Sequence, residues 1–220
     1  MYIHGYGISL DRYSMDIYNI CVSICFMGKG VVNMGKHIGI IGSRKLPDNF
    51  CSHVGEVISC LLAKGCYVNS GGAIGADSYV ISALLRMGKS YRGVIYSAWS
   101  YFSGFPYSAR KDIGEFAKKG GRIDWGTVLP DPTRQEVVAG LLGRNRRLVE
   151  NSDALIAYLY GESRGTMYTI KEAIKKGIPI VVFACDPISS RLYQDLDRQV
   201  GSQIKILKIG AQSTPNKLFV

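Results

Sequence analysis

Between Lys36 and Ala184, short apolar runs alternate with stretches of helical periodicity, and few folds accommodate that alternation. His37–Gly42 (HIGIIG), Tyr67–Ser70, Tyr91–Ala98, Ala154–Tyr160 and Ile178–Ala184 read as strands. Near-continuous runs of this kind mark strands covered on both faces. Phe50–Lys64, Ile74–Met87, Ala109–Lys119, Gln135–Asn151 and Thr166–Lys176 read as the intervening helices. In the first, Phe50, Val54, Val57, Ile58, Leu61 and Leu62 share one stripe, and Gly65 follows as a stop. A short strand at Arg122–Trp125, a helix around Arg191–Val200 and an edge strand at Ile204–Ile209 complete the pattern. Strand–helix alternation at this spacing predicts an α/β fold, a Rossmann-like open and mostly parallel sheet with helices on both faces.

The first 35 residues break the pattern, so we expect an atypical, disordered extension at 1–35, one domain at 36–210 and a flexible tail at 211–220. Ile17–Met27 is apolar, but Asp11 and Asp16 precede it where a signal peptide carries positive charge. The 220 residues, 47% hydrophobic and 20% charged, suit one globular domain and exclude wholesale disorder. Nothing approaches the ~20 uninterrupted apolar residues of a membrane helix. In the extension Arg12 and Lys29 cancel Asp11 and Asp16, so the net charge of +10 belongs to the remainder and favours phosphate-rich partners. Cys21, Cys25, Cys51, Cys60, Cys66 and Cys185 form neither CxxC nor zinc spacing and read as free thiols of a cytoplasmic protein. No catalytic triad, metal set or cofactor motif emerges; His53 sits inside a helical pattern and reads as a packed residue.

In open α/β sheets ligands bind beyond the carboxyl ends of the strands. Three loops there have unusual composition. Gly42-Ser43-Arg44-Lys45 combines a tight turn, a hydroxyl and two cations. Ser70-Gly71-Gly72-Ala73-Ile74-Gly75-Ala76-Asp77 places three glycines where a strand becomes a helix, so backbone N–H groups can approach an anion. It is neither a Walker loop nor GxGxxG, and Asp77 suits either a ligand hydroxyl or the helix dipole. Glu162-Ser163-Arg164-Gly165-Thr166, with Thr169 one turn on, points two hydroxyls the same way; N-capping by Ser163 or Thr166 is the competing explanation. Gly143-Arg144-Asn145-Arg146-Arg147 adds arginine forks and an amide suited to phosphate and to a base or sugar edge. Gly140 and Gly143 just before it suggest close backbone packing. The expected ligand contacts are therefore Gly42, Ser43, Arg44, Ser70, Gly71, Gly72, Gly75, Asp77, Arg144, Asn145, Arg146, Gly165, Thr166 and Thr169.

HIGIIGSRKL, VNSGGAIGAD, the loop ending GFP, FAKKGGRIDWG, GRNRR and ESRGTMYTIKEAIKKGIPIVVF, in this order, resemble the DNA-processing protein A group of the SLOG superfamily. The resemblance implies a dimerising domain that binds single-stranded DNA in a basic pocket and helps load a recombinase. It departs from that group at Val80-Ile81, where Ala-His is common, and at Asp124-Trp125, where Ser-Glu is usual. GGAIGAD, Ser97-Ala98-Trp99 and RNRRLVENSDALIAY also resemble the small YspA-type SLOG proteins, which implies a sensor of nucleotide-derived ligands or a nucleotide N-glycosidase. In the PGGxGTxxE pattern of the related LOG phosphoribohydrolases, Thr169 occupies the place of the glutamate, so the hydrolytic carboxylate is missing. Two readings result: single-stranded DNA binding, with aromatic residues of the Trp99–Tyr107 loop stacking bases, and recognition of a small nucleotide.

Overall fold

The structure, a computed structural model, describes residues 35–186 together with the backbone of 204–208. Among these described residues seven strands form one sheet: β1 (His37–Gly42), β2 (Tyr67–Gly71), β3 (Gly93–Tyr96), β4 (Arg122–Asp124), β5 (Ala154–Leu159), β6 (Ile180–Ala184) and β7 (Ile204–Lys208). Every pairing is parallel, in the order β4-β3-β2-β1-β5-β6-β7. The helices are α1 (Cys51–Ala63), α2 (Ala76–Arg86), α3 (Tyr107–Lys118), α4 (Arg134–Glu150) and α5 (Arg164–Lys176). The Rossmann-like α/β expectation is what the chain adopts. The helix expected around Arg191–Val200, the extension and the tail lie outside the described residues.

Each apolar strand residue packs on one of two faces. Ile38, Ile40, Val68, Ile95 and Ile156 meet Val54, Val57, Ile58 and Leu61 of α1, Val80, Ile81 and Leu84 of α2, and Ile113 and Phe116 of α3. On the other face, Ile41, Val94, Leu155, Ala157 and Leu159 meet Leu148 and Val149 of α4 and Ile170 and Ala173 of α5. The strands are therefore apolar on consecutive residues because α1–α3 cover one side and α4–α5 the other. His53 is buried among them, with Nδ1 2.8 Å from the Tyr158 hydroxyl. Among the described residues Cys51, Cys60, Cys66 and Cys185 form no disulfide, and no helix is long and apolar enough to cross a membrane.

Local chemistry sets the boundaries that differ from the sequence reading. Gly75 has φ +79°, so α2 starts at Ala76 rather than Ile74, and a β-carbon at Gly75 would lie 2.6 Å from the Arg44 carbonyl. Ser90–Arg92 forms one 3₁₀ turn, which shortens β3 at its start. Beyond Tyr96 the chain stays tied to its neighbour through Ser97 N–H to the Asp124 carbonyl (2.8 Å) and Val128 N–H to the Ala98 carbonyl (3.1 Å). α4 begins on a capping box, Thr133 with Glu136, readable as T-x-x-E in the sequence.

The sheet order creates a crevice. β1 lies between β2 and β5; the chain leaves β1 for α1 on one face and leaves β5 for α5 on the other. At such a switch point the two connections diverge and open a cleft at the strand ends.

Candidate nucleic-acid interface

The floor of the cleft is tied by Ser43. Its N–H donates to the Tyr158 carbonyl and its Oγ accepts from Tyr160 N–H, both at 2.9 Å, joining the ends of β1 and β5. Ser43 is buried and spends its hydroxyl on the fold, whereas the adjacent Arg44 is exposed. Tyr79 of α2 braces this loop, donating to the Leu46 carbonyl (2.8 Å) and the Asp48 carboxylate (2.6 Å). Burial, with the Asp48 carboxylate second, holds the Tyr79 phenol well above its usual range.

The glycine loop after β2 carries Asp77 into the first turn of α2. Its Oδ2 accepts from Ala73 N–H (3.2 Å) and lies 3.5 Å from Nη1 of Arg144; its Oδ1 accepts from Ser70 Oγ (3.4 Å). Ser70 Oγ also donates to the Ile40 carbonyl at 2.9 Å. Burial pushes the Asp77 carboxyl up, against the opposing pull of the Arg144 guanidinium. Burial likewise lowers Arg144, which remains a cation because guanidinium starts so far above neutrality. Arg144 is further held by its Nε donating to Asn145 Oδ1 at 3.0 Å.

The third wall is the start of α5. Ser163 is the N-cap residue, but its side chain caps no backbone N–H; its Oγ lies 2.8 Å from Thr166 Oγ1. Thr169 Oγ1 donates to the Gly165 carbonyl at 2.9 Å. The capping alternative therefore does not account for Ser163 or Thr166. First-turn amides of a helix lack intrahelical acceptors, which makes an uncapped N-terminus attractive to anions.

These walls enclose two adjoining lobes. The first, about 220 Å³, brings together Gly42, Arg44, Asp77, Arg144, Asn145, Gly165, Thr166 and Thr169 of the predicted set. The second, about 240 Å³, holds Gly72 beside Tyr96, Trp99 and Phe105. Arg44, Ala73, Leu141 and Arg144 line both, so the lobes form one groove. Ser43, Ser70 and Gly71 line neither lobe; they hold the groove together from behind. Gly75 shapes the turn and borders a further cavity on the far side of Arg44.

Arg146 lies outside both lobes: it is exposed, faces α5, and pairs with Glu172 (3.5 Å) and the Tyr168 hydroxyl (3.3 Å). Successive helical residues are about 100° apart, so Arg144 and Arg146 cannot share a direction. Arg147 holds α4 to the sheet edge, donating to Asp124 (3.0 Å) and the Ser97 carbonyl (2.7 Å). Of the two α4 glycines, Gly140 is crowded by Val128, while a β-carbon at Gly143 would meet open space. The sequence reading missed the apolar wall formed by Val138, Leu141 and Leu142; their spacing with Asn145, i, i+3, i+4 and i+7, was the available signal.

A profile of the DNA recombination-mediator protein A family matches residues 11–209. The chain belongs to this family. Among solved structures, this family member is similar to DNA processing protein A of Helicobacter pylori, described for its single-stranded DNA binding mode, at TM-score 0.60 and 21% identity over 78% of this chain and 74% of that one. It is similar to DNA processing protein A of Streptococcus pneumoniae at TM-score 0.58 and 18% identity, over 77% of this chain but 58% of that one. A molybdenum cofactor binding protein of Rippkaea orientalis follows at TM-score 0.54 and 16% identity, with 79% and 90% covered. At these identities the similarity is one of fold. No curated protein sequence matches the chain.

Proposed function

We propose that the protein binds single-stranded DNA through the two-lobed groove. The observation that carries this reading is that Arg44 and Arg144, about a hundred residues apart in the sequence, line both lobes. Backbone phosphate would sit between the guanidinium groups and the start of α5, where charge-assisted hydrogen bonds are strongest. Trp99 and Phe105 wall the second lobe, and exposed Phe102 and Tyr107 flank its loop, which supports base stacking along the strand. Gly42, Arg44, Gly72, Arg144, Asn145, Gly165, Thr166 and Thr169 are the contacts of this reading; a homodimer, a recombinase partner and a cytoplasmic site are the parts taken from the family resemblance and the thiols.

A second reading, a nucleotide-sized ligand, is favoured by the volume of the first lobe. Hydrolysis of such a ligand has less support. Asp77 already accepts from Ser70 and Ala73 and pairs with Arg144; Asp124 pairs with Arg147; exposed Glu162 lines neither lobe. Displacement of a fluorescent oligonucleotide separates the readings. Unlabelled oligonucleotide should compete at far lower phosphate concentration than nucleoside monophosphate. Equal competition, or release of free base, would replace the DNA reading with the nucleotide one.

A further inference from the structure

The groove holds an oddity: a carboxylate inside a site read as accepting anions. Asp77 is 4% exposed, and both its oxygens are engaged, one by Ser70 and one by Ala73 N–H and Arg144. An aspartate that recognised a ligand hydroxyl would keep an acceptor position toward the cavity. This one, although it lines the first lobe, gives three acceptor contacts to the protein, one of them to a guanidinium arriving from α4. Arg144 in turn is gripped on two of its nitrogens, Nη1 by Asp77 and Nε by Asn145, which leaves Nη2 as the nitrogen without a protein partner among the described residues. Gly71 completes the seat: a β-carbon there would run into Nη1, lie 2.8 Å from Cζ of Arg144, and strike Asp77 Oδ2. Helix-dipole compensation explains an acid in the first turn of α2, but it explains neither the reach of Arg144 nor the missing side chain at residue 71.

We propose that Asp77 is a positioning residue that acts through Arg144, fixing the guanidinium so that its remaining nitrogen meets the DNA phosphate, and that Gly71 keeps the space this requires. The inference rests on the single-stranded DNA reading and deepens it. The neutral groove-side alternative, in which Asp77 merely lowers the site's positive charge, makes the opposite prediction: removing its charge would tighten binding.

The test is a double-mutant cycle on oligonucleotide affinity and its salt dependence, with Asp77→Asn, Arg144→Ala and the combined variant of the full chain. Each lost phosphate contact lowers the slope of log affinity against log salt by about 0.7 for a single strand. Asp77→Asn should weaken binding about tenfold and lose that one contact, as charge-assisted hydrogen bonds of this class imply. Arg144→Ala should do the same, and the combined variant should be no worse than Arg144→Ala alone. Wild-type or tighter binding by Asp77→Asn, while Arg144→Ala is weakened, overturns the positioning role and leaves the DNA reading standing. Unchanged binding by Arg144→Ala sinks the DNA reading at this groove, and the inference with it. Should Asp77→Asn fail to fold, Gly71→Ala disturbs the same guanidinium from the β2 side. A full salt slope in that variant contradicts the proposal, and a slope reduced by one contact supports it.

Discussion

Gly72 and Phe105 are packed so closely that a β-carbon on the glycine would strike the phenyl ring, lying 2.6 Å from its Cδ1. Phe105 is 2% exposed and its ring meets those of Phe102 and Trp125, so it has nowhere to retreat. Gly72→Ala should destabilise the fold by about 1–3 kcal/mol, the usual cost of an overpacked site. Because the ring carries the wall of the second lobe, oligonucleotide affinity should fall as well. Urea denaturation and a binding titration on the same preparation check both effects.

His53 gives the core a pH dependence. Burial lowers its imidazole from 6.5 to about 4, so it is neutral in the folded protein at neutral pH. Above pH 6.5 both folded and unfolded forms are neutral there and the full stability is present. As pH falls toward 4 the unfolded chain takes up the proton first, and a depression of this size corresponds to about 3 kcal/mol of lost stability. His53→Gln keeps a partner for the Tyr158 hydroxyl and should flatten this part of the stability–pH curve. An equally steep curve in that variant would assign the effect to other groups.

Arg146 should be dispensable. Its side chain is exposed and turned to Glu172 and Tyr168, away from both lobes. Arg146→Ala should bind oligonucleotide within about twofold of wild type, since screened rim charges contribute little. A loss as large as that of a groove arginine would move the DNA path onto the outer face of α4 and α5.

Gly165 separates electrostatics from packing. A side chain there meets open space, and the residue lies in the uncapped first turn of α5. Gly165→Asp should leave the melting temperature unchanged or slightly raised, because an acid suits a helix N-terminus. The same carboxylate should repel phosphate and weaken DNA binding several-fold. Thermal melts and anisotropy together read the two opposed effects.

The architecture was legible because apolar periodicity reports burial directly: HIGIIG and ALIAYL are buried strands wherever they pair. That the glycine loop, Arg144 and the Gly165–Thr166 turn would line one groove was legible because each follows or faces a strand end. What the sequence could not show was direction. Ser43, Ser70 and Gly71 have the composition of ligand contacts, yet their hydroxyls and space serve Tyr160, Ile40 and the Asp77–Arg144 pair. Arg144 and Arg146 are chemically alike, and only the helical phase of α4 against α5 separates them. Leu141 reads as ordinary helix core until the sheet order leaves that part of α4 over the crevice instead of the sheet.

In the DNA reading Arg44 and Arg144 meet one chain of phosphates, and Arg44 is the cleaner probe because its exposed side chain makes no hydrogen bond or ion pair among the described residues. The measurement is the affinity of wild type and Arg44→Ala for a fluorescent oligonucleotide between about 50 and 200 mM salt. The expected result is a steep wild-type slope, reduced in the variant by about 0.7 with unchanged thermal stability. A wild-type affinity insensitive to salt, or an Arg44→Ala slope equal to that of wild type, would contradict it.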